Sequence, residues 1–225
     1  DRLVDMKYGD MKYVRGKDRY IPTGRDRQPI YESKDLQLFP RVWDSNDDQY
    51  HAQFYVEWLN LDNTENTDPE NQVEYPRGSG RTIRKPTYGD NINWFYSYQM
   101  GLMYWRYFMW NFAGRQNDVQ GFGNKRDGNW ISGISFIDNS RLGDQSKLPD
   151  TLRNNKANNK LFLLPFVLGM IGCVYQFLRN KKDWIVTFLL FFFTGVAVVL
   201  YLNQPGNQPR ERDYAYVGSF YAFAI

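Results

Sequence analysis

Two unbroken apolar stretches, Leu161–Leu178 and Trp184–Leu202, are separated only by Arg179-Asn180-Lys181-Lys182-Asp183. Each is long enough, at about 1.5 Å per helical residue, to cross a hydrocarbon core roughly 30 Å thick. The second stretch holds thirteen Leu, Ile, Val or Phe residues and no charge. At roughly −0.3 to −0.6 kcal/mol each, these favour insertion by several kcal/mol. The pair therefore reads as a transmembrane helical hairpin. The other reading, a buried hairpin of a soluble protein, asks for a polar face where the helices meet water, and neither stretch has one.

The average composition hides this division. Mean hydropathy is −0.64, 24% of residues are charged and the net charge is +3, yet nearly all contiguous aliphatic mass lies between 161 and 202. The single cysteine, Cys173, sits beside Gly172 in an apolar stretch and reads as a small packing residue. A disulfide or zinc framework within the chain is thereby excluded. His51 is the single histidine, which removes any multi-histidine metal site, and neither metal nor cofactor is expected. The charges are of both signs and form no basic stripe, so nucleic acid is not an expected partner.

The expected fold class is an α-helical integral membrane protein fragment, a transmembrane hairpin with an aromatic interfacial helix and a long irregular polar loop region. Residues 1–91 are dense in turn formers, such as Pro22-Thr23-Gly24 and Pro76-Arg77-Gly78-Ser79-Gly80, and read as an external loop region with little regular structure. Within it, Asp47–Leu59 can be a helix with a stripe of Tyr50, Phe54 and Trp58, continuing to Leu61. Short strands can form near Met11–Tyr20 and Leu36–Val42, and Arg25, Arg27 and Arg41 read as solvated surface charges. Residues 92–113 form an aromatic helix with Gln99 and Arg106, seven apart, on one face. Arg106 at mid-membrane would cost about 2.5–3.5 kcal/mol, so this helix is expected at the interface or packed against protein.

Residues 114–160 read as a polar Gly/Asn-rich loop. Its Gly121-x-Gly123 pair lacks the third glycine, the preceding strand and the following helix that a phosphate loop needs. Residues 161–178 and 184–202 are the two expected spans, joined by the basic turn 179–183. Three basic residues in that five-residue turn place it in the cytoplasm and residues 1–159 outside. The start at Asp1-Arg2-Leu3 and the renewed apolarity at Phe220–Ile225 read as an internal piece of a polytopic protein, with further spans as partners. Residues 203–225 are a charged interfacial segment and the start of another helix.

That segment carries Arg210-Glu211-Arg212-Asp213-Tyr214 between Pro209 and an aromatic run. Two readings stand. The alternating charges neutralise one another structurally, or a guanidinium forks onto a lipid-linked phosphate while an acid meets a sugar hydroxyl. Asp213 could act as a base only within hydrogen-bond reach of the acceptor.

Longer strings carry a resemblance. Tyr107-Phe-Met-Trp-Asn-Phe-Ala-Gly-Arg-Gln-Asn-Asp118, Gly128-Asn-Trp-Ile-Ser-Gly133, Tyr201-Leu-Asn-Gln and Pro209-Arg-Glu-Arg-Asp-Tyr-Ala-Tyr-Val-Gly-Ser-Phe-Tyr-Ala-Phe-Ala-Ile225 closely resemble a family of bacterial multi-spanning membrane proteins. Its members were long catalogued as a domain of unknown function and are now labelled protein O-mannosyltransferase-like. Leu38-Phe-Pro-Arg-Val-Trp43 followed by His51 is similar to it as well. The resemblance implies a multi-pass protein of the bacterial inner membrane, with residues 1–159 periplasmic. It also implies type-C glycosyltransferase chemistry, in which sugar passes from a polyprenyl-phosphate donor to a hydroxyl acceptor. The catalytic acid of such enzymes is expected in a first external loop that this chain lacks, so the chain alone is expected to be inactive. Arg210, Glu211, Arg212, Asp213 and Tyr214, with Arg115, Asn117 and Asp118, are then candidate donor-binding or architectural residues. The alternative class is a non-catalytic membrane scaffold or envelope-assembly factor.

Overall fold

The computed structural model describes all residues except 1, 2, 32, 34, 35, 44–48, 77 and 208–212, together with the backbone but not the side chains of 3, 4, 49 and 213. The chain divides into two units, residues 1–40 and residues 41–225.

The first unit is an antiparallel ribbon of β1 (Leu3–Arg15) and β2 (Tyr20–Tyr31), closed by a turn in which the Gly16 N–H donates to the Arg19 carbonyl. Met6 lies opposite Pro29, Tyr8 opposite Arg27, Met11 opposite Arg25 and Tyr13 opposite Pro22. Between Tyr8 and Met11 the first strand advances three residues while the second advances two, from Arg27 to Arg25. The result is a bulge at Gly9-Asp10, which brings Tyr8 and Met11 to the same face although regular alternation would oppose them. Both strands of a two-stranded ribbon are edges, so Pro22 and Pro29 are accommodated without breaking it.

In the second unit, α1 (Gln49–Leu59) and a small sheet of β3 (Gln72–Glu74) and β4 (Thr82–Arg84) lead into the long central rod. The rod begins as α2 (Tyr88–Asn93), continues π-helically from Trp94 to Trp105 and ends as α3 (Arg106–Phe112). Thr87 caps it: its hydroxyl accepts from the Asp90 N–H while the Asp90 carboxylate accepts from the Thr87 N–H, a reciprocal box that satisfies two otherwise orphaned donors. Gly114, at φ 137°, follows the last turn. Then come α4 (Ser135–Leu142), α5 (Asp150–Arg153), α6 (Leu164–Arg179), α7 (Lys181–Thr194), α8 (Val196–Leu202) and α9 (Val217–Ala224).

The rod supplies the core. Trp94, Tyr98, Tyr107 and Phe108 are fully buried, as are Tyr55, Val56 and Tyr216 around them. At one end Trp94 stacks on Tyr98 with centroids 4.2 Å apart, and Tyr55 meets Trp94 edge-on at 4.6 Å. At the other end Phe108 meets Phe223, Phe166 and Phe191 edge-on. Such tilted aromatic contacts add about 0.5–1.5 kcal/mol each beyond area burial.

The fold class is thus corrected: the described residues form a mixed α/β structure with two small antiparallel sheets, not an α-helical membrane fragment built on a transmembrane hairpin. Among the described residues one helical stretch, Lys181–Leu202, has both the length, 22 residues, and the apolarity to cross a membrane. The first stretch forms a helix of 16 residues, about 24 Å long at 1.5 Å per residue. Its expected first turn is used elsewhere. The Leu161 N–H donates to the Ala113 carbonyl and the Phe162 N–H to that of Ser132, while Phe162 and Leu163 are left-handed at φ 54° and 58°. Of the two placements expected for the aromatic helix, the interface or packing against protein, the fold class took the first; here the helix is buried core and meets α1, α6 and α9 with aromatic side chains on several sides. The expected irregular loop region contains both sheets. In the ribbon Gly9, Pro22, Gly24 and Pro29 fall within the strands, whereas Gly16, Pro76, Gly78 and Gly80 lie between paired strands, as turn formers do.

Candidate functional site

Two arginines organise the second unit, and the π-helical stretch separates them. A 3.6-residue repeat would bring Gln99 and Arg106 to one face. In the wider π turn the Arg106 N–H donates to the Gly101 carbonyl five residues back, and the two side chains reach different partners.

Arg106 is buried against the glycine-rich loop. Its Nη1 donates to the carbonyls of Gly121 and Gly128, its Nη2 to the Tyr107 hydroxyl and its Nε to the Leu102 carbonyl, and the guanidinium lies over Tyr107 and Trp110. The loop folds back through the bridge between Arg115 and Trp130. Gly128 sits where it must, at φ 59°, since a Cβ there would lie 2.6 Å from the Val119 carbonyl oxygen. The guanidinium therefore meets backbone carbonyls where a phosphate loop would offer N–H groups.

The candidate residues Arg115, Asn117 and Asp118 are brought together in this loop, each in an architectural contact. The Arg115 guanidinium lies 3.8 Å over Trp110 and its Nε donates to the Asn117 carbonyl, while its backbone N–H donates to Asn159 Oδ1. Asn117 is fully buried: Oδ1 accepts from the N–H groups of Gly128 and Val119, and Nδ2 donates to the Arg126 carbonyl. Asp118 is exposed and accepts from Asn155 Nδ2 at 2.6 Å. Gln116 and Asn129 knit the same loop, and the buried Asp138 carboxylate accepts from the N–H groups of Ser132 and Gly133. Asp127, beside Arg126, is held below the usual carboxylate range by that hydrogen bond.

Arg41 is the residue that sequence reasoning misjudged. It was expected in solvent, and only 4% of it is exposed. Nε donates to Gln99 Oε1 at 2.8 Å, Nη1 to the Leu200 carbonyl at 2.9 Å and Nη2 to the Val199 carbonyl at 3.0 Å. A cation thereby caps the carboxyl end of α8, where the last carbonyls of a helix lack partners. Burial lowers its pKa, and an arginine stays protonated nonetheless. Gln99 passes the network on, donating to Asn203 Oδ1 and the Gln204 carbonyl, and the Tyr216 hydroxyl donates to Gln204 Oε1. The signal for Arg41 was its place between Pro40 and the apolar Val42, an odd setting for a solvated charge.

Of the remaining candidates, Arg210, Glu211 and Arg212 lie outside the described residues. Asp213 opens a short 3-10 turn, Asp213–Tyr216, and Tyr214 is exposed. Among the described residues no group of three or more His, Cys, Asp or Glu side chains could hold a metal. An apolar surface groove of about 490 Å³ runs along α6 between Phe166 and Leu178.

Residues 1–96 match the model of a family described as a family of unknown function, DUF8416. The match takes in the ribbon, Arg41, α1, both short strands of the second sheet and the opening of the rod. No curated protein and no solved structure matches the chain.

Proposed function

We propose that this chain is a membrane-anchored scaffold module: a mixed α/β body held to a bilayer by the helical stretch Lys181–Leu202. One observation carries the reading. That stretch is 22 residues long with a mean hydropathy of 2.6, and only 11% of its apolar window is buried against the rest of the chain. An apolar surface of that size is costly in water, at roughly 25 cal/mol per Å², and hydrocarbon is the medium that removes the cost. The scaffold class is supported by the polar side chains of the rod and loop, which fasten backbone to backbone. Sugar transfer, which the family resemblance implies, would call on Arg210 to Asp213, of which Arg210, Glu211 and Arg212 lie outside the described residues.

The test is flotation of the full chain with phosphatidylcholine vesicles, followed by alkaline extraction. The chain should float and resist extraction. Leu190→Arg with Phe193→Arg, both at exposed positions, should release it, since each charge near the centre of a span costs about 2.5–3.5 kcal/mol. Recovery of the unmodified chain in the aqueous fraction would overturn the proposal.

A further inference from the structure

The bulge at Gly9-Asp10 sorts the ribbon into two chemically different faces. On one side stand Met6, Tyr8, Met11, Tyr13 and Arg15 of β1, opposite Pro29, Arg27, Arg25, Pro22 and Tyr20 of β2. This face has three arginines, three tyrosines, two methionines and no acid. The Arg27 guanidinium lies over the Tyr8 ring at 5.8 Å, and Met6, Tyr8, Met11, Tyr13 and Tyr20 are all exposed. The other face pairs its charges instead: Lys12 meets Asp26 at 2.7 Å, with Asp5 and Lys7 further along. Without the bulge, the repeated Asp-Met-Lys-Tyr of residues 5–8 and 10–13 would divide its Met and Tyr residues between the two faces.

We infer that the Tyr/Met/Arg face of the ribbon lies on an anionic lipid surface; the inference rests on the membrane anchor proposed above. A two-stranded ribbon alone is marginal in water and gains from covering one face. An unbalanced set of arginines calls for an anionic cover, and tyrosine and methionine suit the boundary between headgroup and hydrocarbon.

The experiment uses the full chain with Cys173→Ser and one new cysteine carrying an environment-sensitive label, either Met11→Cys on the arginine face or Lys7→Cys on the other. Samples are reconstituted in vesicles of phosphatidylcholine or of phosphatidylcholine with phosphatidylglycerol, and an aqueous quencher reports exposure. The label at position 11 should be shielded in the anionic vesicles alone, and the label at position 7 should be quenched in both. Replacing Arg15, Arg25 and Arg27 together by Gln should weaken the surface-bound state by about 100-fold and restore quenching at position 11. If Met11→Cys disturbs the ribbon, Tyr13→Cys reports the same face. Flotation of the same samples separates the outcomes. A chain that floats with both vesicle types yet is quenched equally at position 11 refutes the inference and leaves the anchor standing, and a chain that floats with neither refutes both. Stronger shielding by a single-stranded oligonucleotide on neutral vesicles than by anionic lipid would also overturn it, in favour of a polyanion partner.

Discussion

Arg41→Met keeps the bulk of the side chain and removes three donors at once. The acceptors left behind are Gln99 Oε1, the Val199 carbonyl and the Leu200 carbonyl, which take bonds of 2.8, 3.0 and 2.9 Å. A buried acceptor without a donor costs about 1–3 kcal/mol, so three would cost about 3–9 kcal/mol if none could rearrange. Two terms reduce this. The buried charge no longer has to be desolvated, and the carbonyls of a helix end can turn partly to water. The expected loss is therefore about 3–4 kcal/mol, a large share of the total for a module of this size. Denaturant unfolding in detergent micelles, followed by tryptophan fluorescence, measures it. A double-mutant cycle with Gln99→Leu should return a coupling of about 1–2 kcal/mol, since the two side chains share one hydrogen bond. Arg41→Lys keeps the charge but not the fork, and should fall between the two. A change below about 0.5 kcal/mol for Arg41→Met, the value ordinary for a surface substitution, would refute the capping argument.

Gly195→Ala should destabilise by about 1–3 kcal/mol, because its Cβ would lie 2.6 Å from the Tyr104 hydroxyl and 2.7 Å from Ser219 Cβ; Gly172→Ala, with nothing within 4 Å, should be neutral or stabilising by about 0.5–1 kcal/mol in the same melts. Asp90 is raised by burial but lowered further by the Arg84 fork and by Thr87, for a net pKa below the ordinary carboxylate value. Its contribution is therefore complete above the unfolded-state pKa of about 4 and is lost as pH falls through the lower folded value, and Asp90→Asn should flatten that acid limb in melts run from neutral pH downward. Asn117→Ala removes three hydrogen bonds, one buried and two partly buried, and should cost about 2–4 kcal/mol, visible as faster tryptic cleavage at Lys125 or Arg126. Arg210→Ala with Arg212→Ala should leave binding of a polyprenyl phosphate by the full chain unchanged under the scaffold reading, and its loss would return the argument to sugar transfer.

What could be read from the sequence was whatever depends on local pattern. The aromatic rod was legible because no proline breaks it for some twenty residues, and α1 because Phe54 and Trp58 sit one turn apart; in the structure they stack with centroids at 5.8 Å. The ribbon was not legible, since Gly9, Pro22 and Gly24 look like interruptions until the opposite strand is known. The length of the first apolar helix was misread for a similar reason. Leu161 and Phe162 are apolar enough for a helix, but their N–H groups go to Ala113 and Ser132, which lie thirty or more residues earlier. Of the candidate residues, Arg115, Asn117 and Asp118 stood out for side-chain chemistry that the fold directs inward, onto its own backbone. Arg41 escaped notice because two of its partners, the Val199 and Leu200 carbonyls, lie more than 150 residues away, and Gln99 lies 58 away.

That separation bears on how the molecule is made. Arg41 leaves the ribosome long before the carbonyls it serves, with Val199 and Leu200 following 158 and 159 residues later. Until then its guanidinium has Gln99 within the chain already made, but not the two helix carbonyls. The contact is thus among the last that synthesis permits, and contacts of such high sequence separation close slowly. A nascent chain interrupted before residue 200 presents a hydrated arginine beside an unfinished aromatic core, while a chain past that point withdraws it. Arg41 therefore registers whether the helix Val196–Leu202 has arrived.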